Sequence, residues 1–279
     1  MHEFLHVMML PFLACLVLVA SHAYLGFHVI ERQVIFVDLA LAQIAVLGAS
    51  VAMIAGHDLN SPQAYWTSLA FTMGGAVIFS LTRLKEERVP QEAMIGITYV
   101  VSAALLILLL SRSGEGDEHI KQALVGNILL VGKPELMRIT IIYAILGLIH
   151  FLCRKPFFMI SREPKAAFAQ GVNVRWWDFL FYLTFGVVVT NSVRIAGVLL
   201  VFSYLVVPSV CAMFMVNGLK SRLLVGWAIG LCASVLGMAF SYYLDFPTGA
   251  SVVCMLGLLL IVVAIIKRLN GLAYRTSRF

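Results

Sequence analysis

Apolar positions in this chain come in blocks of about bilayer length, separated by short polar punctuation. They show neither the alternation of a half-buried strand nor the one-sided stripe of a soluble helix. A hydrocarbon core of about 30 Å needs about 20 apolar residues in a helix. Runs of that length cover 8–29, 37–56, 65–83, 93–111, 136–153, 177–192, 195–216, 222–243 and 249–267. The pattern predicts an all-α fold, a polytopic transmembrane helical bundle of about eight or nine spanning helices, forming one domain over 1–279. A barrel reading fails because the runs do not alternate, and an open sheet leaves backbone groups unsatisfied in lipid.

Cytoplasmic loops hold an excess of Lys and Arg, so the connections carry the orientation signal. One set contains Arg32; Arg83, Lys85 and Arg88; Arg154, Lys155, Arg162, Lys165 and Arg175; Lys220 and Arg222; and a basic tail, 267–279, with Lys267, Arg268, Arg275 and Arg278. The other set holds only Arg112, Lys121, Lys133, Arg138 and Arg194. The first set is expected inside, which puts the C-terminus inside and, with nine crossings, the N-terminus outside. Two places decide the count: the first segment, and the pair that meets around Thr190 to Arg194. If either is re-entrant or merged, the count drops and the N-terminus moves inside. The outer connection from Ser111 to Glu135 is acidic at Glu115, Asp117 and Glu118. It then turns apolar over 123–131, the pattern of a short helix near the surface. The inner connection, 154–177, is basic, carries Pro156, Pro164 and Gly171, and ends in the interface-type pair Trp176 and Trp177.

Composition sharpens this picture. With 61% apolar and 12% charged residues, the chain has too few charges to cover a soluble surface, so the surplus apolar area must face lipid. The formal charge of +6 raises nucleic acid as a partner, but the basic residues are dispersed among apolar runs and form no stripe. Cys15, Cys153, Cys211, Cys232 and Cys254 have no CxxC spacing and read as packing residues. Met1 to Met9 lacks the basic head of a signal peptide, so the first apolar segment is expected to be retained.

Several stretches resemble the permease subunits of ATP-binding cassette importers for zinc, manganese and iron. The strongest is Val193-Arg-Ile-Ala-Gly-Val-Leu-Leu-Val-Phe-Ser-Tyr-Leu-Val-Val-Pro-Ser-Val-Cys-Ala212. A second is Leu244-Asp-Phe-Pro-Thr-Gly-Ala-Ser-Val-Val253, similar to the family's Asp-x-Pro-x-Gly-Ala turn. Glu92-Ala-Met-Ile-Gly96, Leu124-Val-Gly-Asn-Ile-Leu129 and Glu163-Pro-Lys-Ala-Ala-Phe-Ala-Gln-Gly171 follow in the family's order across nearly the whole chain. The resemblance implies a helical permease of the cell membrane that works as a pair. It also implies two cytoplasmic ATPase subunits as flanking partners and loading by an extracytoplasmic metal-binding protein. The chain has no GxxxxGK[ST] phosphate loop, so it binds no cofactor of its own, and ATP is expected to be used by the partner subunit.

Carrying a divalent cation through lipid needs ligands that replace its water, and intramembrane carboxylates are the first suspects. Asp38 opens the second span, and Asp245 ends the penultimate one. The resembling permeases present an aspartate and a histidine four residues apart on the second helix. With Leu47-Gly48 matched, Gln43 stands at the histidine position and Leu39 at the aspartate position, while Asp38 lies one residue earlier. Asp38 and Gln43 are then about 140° apart around the helix and cannot chelate one ion as an i, i+4 pair would. Either the substrate differs, or the ligands come from several helices. Asp38, Gln43 and Asp245 are the pathway candidates. For Asp38 the structural alternatives are a helix N-cap or a partner for Arg32; for Gln43, an interhelical hydrogen bond; for Asp245, turn chemistry.

The remaining polar groups have plainer readings. His57 and Asp58, and the run Glu115 to His119, read as solvated outer loops. His22, His28 and His150 read as satisfied or interfacial histidines, and the methionines as packing residues. Gly226, Gly230 and Gly237 are expected to let helices approach closely. The inner segment with Ala166, Gln170 and Gly171 is the candidate coupling element toward the ATPase. The expected function is transmembrane import of divalent metal, zinc or manganese first and iron next. The rivals are an ion-gradient-driven carrier and a permease for a metal chelate or a cobalamin-type ligand. An intramembrane enzyme has no support, since GxSxG and HExxH are missing.

Overall fold

The computed structural model describes residues 2–83, 89–111 and 116–276, with side chains at 7–83, 89–111 and 121–269. Lys85, Arg88, Arg112 and Glu115 lie outside the described residues, as do the side chains of Asp117, Glu118, His119, Arg275 and Arg278.

The described chain is helical, with no strand among the described residues. Its elements are α1 (His2–Glu31), α2 (Val37–Ile54), α3 (Pro62–Leu81), α4 (Gln91–Leu110), α5 (Gly116–Val125), a 3-10 turn (Ile128–Leu130), α6 (Lys133–Leu152), α7 (Arg154–Arg162), α8 (Pro164–Ala169), α9 (Val174–Met215), α10 (Leu219–Leu244) and α11 (Thr248–Thr276). Eight of the described helices are long and apolar enough to cross a membrane. The starts and stops have local causes. Ser61 caps α3 by accepting the N–H of Ala64 at 3.2 Å, with Pro62 at the first helical position. Asp245, in the left-handed conformation at φ 54, ends α10.

The spans expected at 177–192 and 195–216 meet in one continuous run, the 42-residue α9. A straight helix of that length would reach about 63 Å, roughly twice the hydrocarbon thickness. Gly197, with φ 74 and ψ 161, breaks it into two pieces, each of crossing length. The expected surface helix at 123–131 is shifted toward the N-terminus: α5 ends at Val125, Gly126 turns the chain with φ 65, and only the 3-10 turn follows.

The chain divides into two compact units. Unit 1 comprises Met1–Phe27, Asn127–Arg138 and Leu199–Phe279, and unit 2 comprises His28–Gly126 and Ile139–Val198. In unit 1 the first part of α1 packs against α10 through small residues. A Cβ on Gly230 would lie 2.6 Å from Val19, and Trp227 donates its indole N–H to the carbonyl of Ala20 at 3.1 Å. Gly237 closes on the backbone of Val252, which brings α10 and α11 together. Cys15 and the Tyr204–Ser234 hydrogen bond, at 2.6 Å, lie in the buried interior of the same unit.

In unit 2 the most enclosed element is α2, held against α3 at Gly48. There a Cβ would meet the backbone of Ser68 and Thr67 at 2.9 Å. Ser68 donates to the carbonyl of Ala45 at 2.7 Å, so the pair is stitched as well as packed. Helices α4 and α6 turn aliphatic faces outward, among them Ile97, Val100 and Leu108, and Ile141, Ile145 and Leu148. Such a surface suits lipid and not water.

The α9 break is backed by a second backbone. Gly126 and Gly197 stand face to face: a Cβ on Gly126 would lie 2.2 Å from the amide nitrogen of Gly197, and one on Gly197 would lie 2.3 Å from that of Gly126. Both have positive φ, so a side chain at either position is excluded by space and by conformation. Gly126→Ala and Gly197→Ala are each expected to destabilise the protein by at least about 2 kcal/mol, read as a lowered unfolding temperature of the purified chain in detergent. Gly96→Ala, where a Cβ meets open space, is the control and is expected to be neutral.

Candidate functional site

Unit 2 carries polar chemistry in an outer cavity, along one stripe of α2, and in a buried network near its basic loops. The cavity, of about 330 Å³, lies between the second half of α2, the 58–60 loop, the start of α3, the end of α5 and the stretch of α9 before its break. Its polar lining includes Asp58, Asn60, Tyr65, Ser68, Thr190 and Arg194. Asp58 accepts the N–H of Asn60 at 2.6 Å, which shapes the loop. The guanidinium of Arg194 lies 5.4 Å from the Tyr65 ring centroid, and the Tyr65 hydroxyl accepts from the Asn191 amide at 3.3 Å. Thr190 and Thr72 join α9 to α3 through a 3.1 Å hydroxyl contact.

The stripe follows from helical periodicity. Leu39, Gln43, Val46, Ala49 and Met53 are partly exposed positions on a largely buried α2, with Val51 partly exposed and Ile54 exposed near its end, and the five recur at the three- and four-residue spacing of one face. Val46, Ala49 and Met53 line the cavity, and the same face leads back along the helix to Gln43 and Leu39. Gln43 is thus on the open face, and its side chain has no hydrogen-bond partner among the described residues. The interhelical bond considered for it is therefore not formed.

Asp38 adjoins Leu39 in sequence and lies about 100° from it around the helix, at the edge of the stripe. It is fully buried, and neither carboxylate oxygen has a hydrogen-bond partner among the described residues. Both structural alternatives for Asp38 fail. The N-cap position is Phe36, with no side-chain cap, and Arg32 is committed elsewhere. Asp245 belongs to unit 1, where it is exposed at the end of α10, so its local role is the turn. Ser241 bonds Thr248 at 2.7 Å and the Phe246 carbonyl at 2.7 Å to close that turn.

The buried network was not among the residues expected from the sequence. Asp178 accepts from Arg32 at 2.5 Å and forms an ion pair with Arg83 at 3.1 Å, with its side chain fully buried. Arg32 also donates to Ser161 of α7 at 2.9 Å and lies 4.0 Å from the Phe181 ring centroid. His28 stands 2.8 Å from the same serine hydroxyl, which donates to the Phe157 carbonyl. Gln91 donates to Tyr182 and to the Phe79 carbonyl, each at 3.0 Å, and accepts from Arg83 at 3.3 Å. The only sequence signal for this node was a lone aspartate entering an apolar run directly after two tryptophans.

His150 is satisfied, 2.8 Å from Thr184. His22 bonds the Leu18 carbonyl through Nδ1, while its Nε2 has no partner among the described residues. Ala166 lies within α8, with Gln170 and Gly171 exposed just beyond it and Gly171 at φ 72. Ile160, Ala167 and Val174 form the small core that holds α7 and α8 together. Among the described residues no group of three His, Cys, Asp or Glu is placed to hold a metal ion.

Span-length helices, a cavity opening onto a face of the central helix, and amphipathic helices at the basic side define a polytopic membrane permease. The chain belongs to the ABC 3 transport family, whose pattern matches residues 4–267. It is a multi-pass protein of the cytoplasmic membrane, the permease of an ATP-binding cassette system that works with ATPase and substrate-binding partners. Among its relatives are the manganese transport system membrane protein MntC of Listeria monocytogenes, 23% identical over 91% of this chain and 88% of that one. The chelated iron transport system membrane protein YfeD of Yersinia pestis is 27% identical over 76% and 73%. The manganese import system permease protein ScaB of Streptococcus parasanguinis is 29% identical over 67% and 70%. The fold is similar to that of PsaBC from Streptococcus pneumoniae, solved in complex with Fab, with a TM-score of 0.77 over 94% of each chain at 22% identity.

The network yields a graded prediction. Asp178→Asn leaves two buried guanidinium groups without their counter-charge and is expected to lower stability by about 3–5 kcal/mol. Ser161→Ala keeps the ion pairs and is expected to lose only about 1 kcal/mol. Thermal unfolding of the purified variants in detergent checks the order, and equal losses would show that the ion pairs do not dominate.

Proposed function

We propose that this chain is the transmembrane permease subunit of an ATP-driven importer of divalent metal ions, with manganese, zinc and iron as the cargo range. Family membership carries the transport class, and the relatives named for manganese and iron transport support the cargo. Two copies of the chain form the pathway, flanked by two cytoplasmic ATPase subunits and loaded by an extracytoplasmic metal-binding protein. ATP is hydrolysed in the partner, consistent with the missing phosphate loop. The chain itself performs no catalysis.

In this reading the partly open stripe of α2 faces the pathway, with Gln43 as a neutral oxygen ligand along it. Asp38 supplies negative charge at the first turn of that helix, and Asp245 stands near the outer surface. The α7–α8 hairpin, with Ala166, Gln170 and Gly171, receives the motion of the ATPase. Nine crossings place the N-terminus outside. The basic residues flanking both ends of α9, Arg175 before and Lys220 and Arg222 after, favour a chain that reverses at Gly197.

The observation that bears most on the site is the buried, unpartnered carboxylate of Asp38. A charge-bearing group inside a membrane protein is expensive unless it serves an ion. The test is metal accumulation and metal-stimulated ATPase activity of the complex in proteoliposomes. Asp38→Ala and Gln43→Leu are each expected to lower transport by about tenfold or more. Asp245→Ala is compared in parallel. Unchanged transport in all three removes the pathway assignment, and metal accumulation without the ATPase subunits removes the ATP-driven reading itself.

A further inference from the structure

The last turn of α1, the inner face of α7 and the start of α9 meet at one guanidinium. Arg32 donates through Nε to the Ser161 hydroxyl at 2.9 Å and through Nη1 to Asp178 at 2.5 Å, so a single planar fork bridges α7 and α9. One turn earlier, His28 stands 2.8 Å from the same hydroxyl, and its ring lies 4.6 Å from that of Phe158. Ser161 shares its side of α7 with Phe157 and Ile160, all three buried, and the Phe157 ring packs edge-on to Trp177 and Phe181 of α9. The side chains of Arg32 and Asp178 are fully buried, so separating them during a conformational change would strand two charges in apolar surroundings. The helices that meet here are therefore held to move together.

The chain on either side of Arg32 gives that constraint a direction. Arg32 follows directly on α1, and the connection 32–36 leads into α2. Backbone hydrogen bonds brace this turn. The N–H of Arg32 reaches the His28 carbonyl at 3.0 Å, that of Val34 reaches the Val29 carbonyl at 3.1 Å across Gln33 at φ 56, and that of Val37 reaches the Val34 carbonyl at 3.1 Å. Glu92 of α4 accepts the N–H of Phe36 at 3.0 Å. Little slack remains between the guanidinium and the first turn of α2, which carries Asp38 and Leu39. Coupling between distant parts is carried by chains of packed and hydrogen-bonded groups of this kind.

We infer that Arg32 and Ser161 are the positioning residues through which the α7–α8 hairpin drives α2: a shift of the hairpin pulls on Arg32, and the braced turn passes it to the first turn of α2 and the stripe beyond. The inference rests on the import reading, in which the hairpin receives the motion of the ATPase, and adds where in the chain that motion goes.

The permease, the ATPase subunits and the metal-binding protein, reconstituted in proteoliposomes, test it, with ATP hydrolysis and uptake of radiolabelled manganese(II), zinc(II) or iron(II) read side by side. Ser161→Ala removes the hydroxyl. Arg32→Lys keeps the charge beside Asp178 but offers one ammonium in place of a fork that spans two helices. Each is expected to lower metal uptake per ATP hydrolysed by about fivefold, the worth of one lost hydrogen bond. The double variant is expected to fall no further, because both changes break the same link. Ser161→Thr, which keeps the hydroxyl, is expected to recover most of the loss. Thr98→Val, which removes a hydroxyl that bonds the Met94 carbonyl within α4, is expected to cause none. The two serine variants decide the question even if Arg32→Lys fails to fold. Unchanged uptake per ATP in Ser161→Ala, including the case in which hydrolysis and uptake fall in step, marks an anchor that transmits nothing and overturns the inference. An equal loss in Thr98→Val, or losses that multiply in the double variant, overturns it as well. No ATP-driven uptake of any of the three metals by the unaltered complex defeats the import reading and the inference with it, whereas normal uptake per ATP in the variants defeats the inference alone.

Discussion

Inside a bilayer no water is available to satisfy a broken helix, so any backbone that leaves the helical path must be covered by protein. The Gly126–Gly197 contact meets that demand at the least regular point of the described membrane-spanning segments. Two departures from helical backbone, the exit from α5 and the break in α9, are laid against each other with no side chain between them. Each glycine makes the other's conformation affordable in space, and together they position the polar lining one turn away. Gln122 and Ala123 precede Gly126 by a turn, Val193 and Arg194 precede Gly197 by a turn, and all four line the cavity.

This explains what was legible in the sequence and what was not. Span-length helices follow from composition alone, because lipid imposes a length and a polarity that no soluble fold shares. Two of the stretches that carried the resemblance, the strongest around Gly197 and a further one around Gly126, were visible as separate strings. Their meaning is a contact between them, and nothing in either string specifies its partner. The same limit applied to charge. Arg32 and Asp38 are neighbours in sequence, and a local pairing was the natural reading. The fold instead gives Arg32 to Asp178, more than a hundred residues away. Reading carboxylates as metal ligands also drew attention from Asp178, whose local signal was that of an interface anchor.

The two fully buried aspartates of unit 2 therefore have opposite characters. Asp178 is ion-paired: two guanidinium groups hold it, and the serine that bonds Arg32 belongs to α7, so the amphipathic hairpin at the basic side is tied into the spanning helices through hydrogen bonds. Asp38 is unsaturated, although it lies only six residues from Arg32. A burial this complete would select against an unpaired carboxylate if packing were its purpose, since an apolar residue of similar size would be more stable there. The contrast separates an ion-paired aspartate from one with no hydrogen-bond partner among the described residues.

The stripe on α2 links these parts. Apart from Val51 and the last residue, Ile54, the α2 residues that are not buried share one side of the helix. Here they are neutral: a glutamine, small and aliphatic residues, and at the outer end a cavity whose two charges cancel. Under the proposed import reading, a neutral face of this kind does not capture ions by field strength, so selection falls where the ligand sphere is assembled, before the metal reaches it.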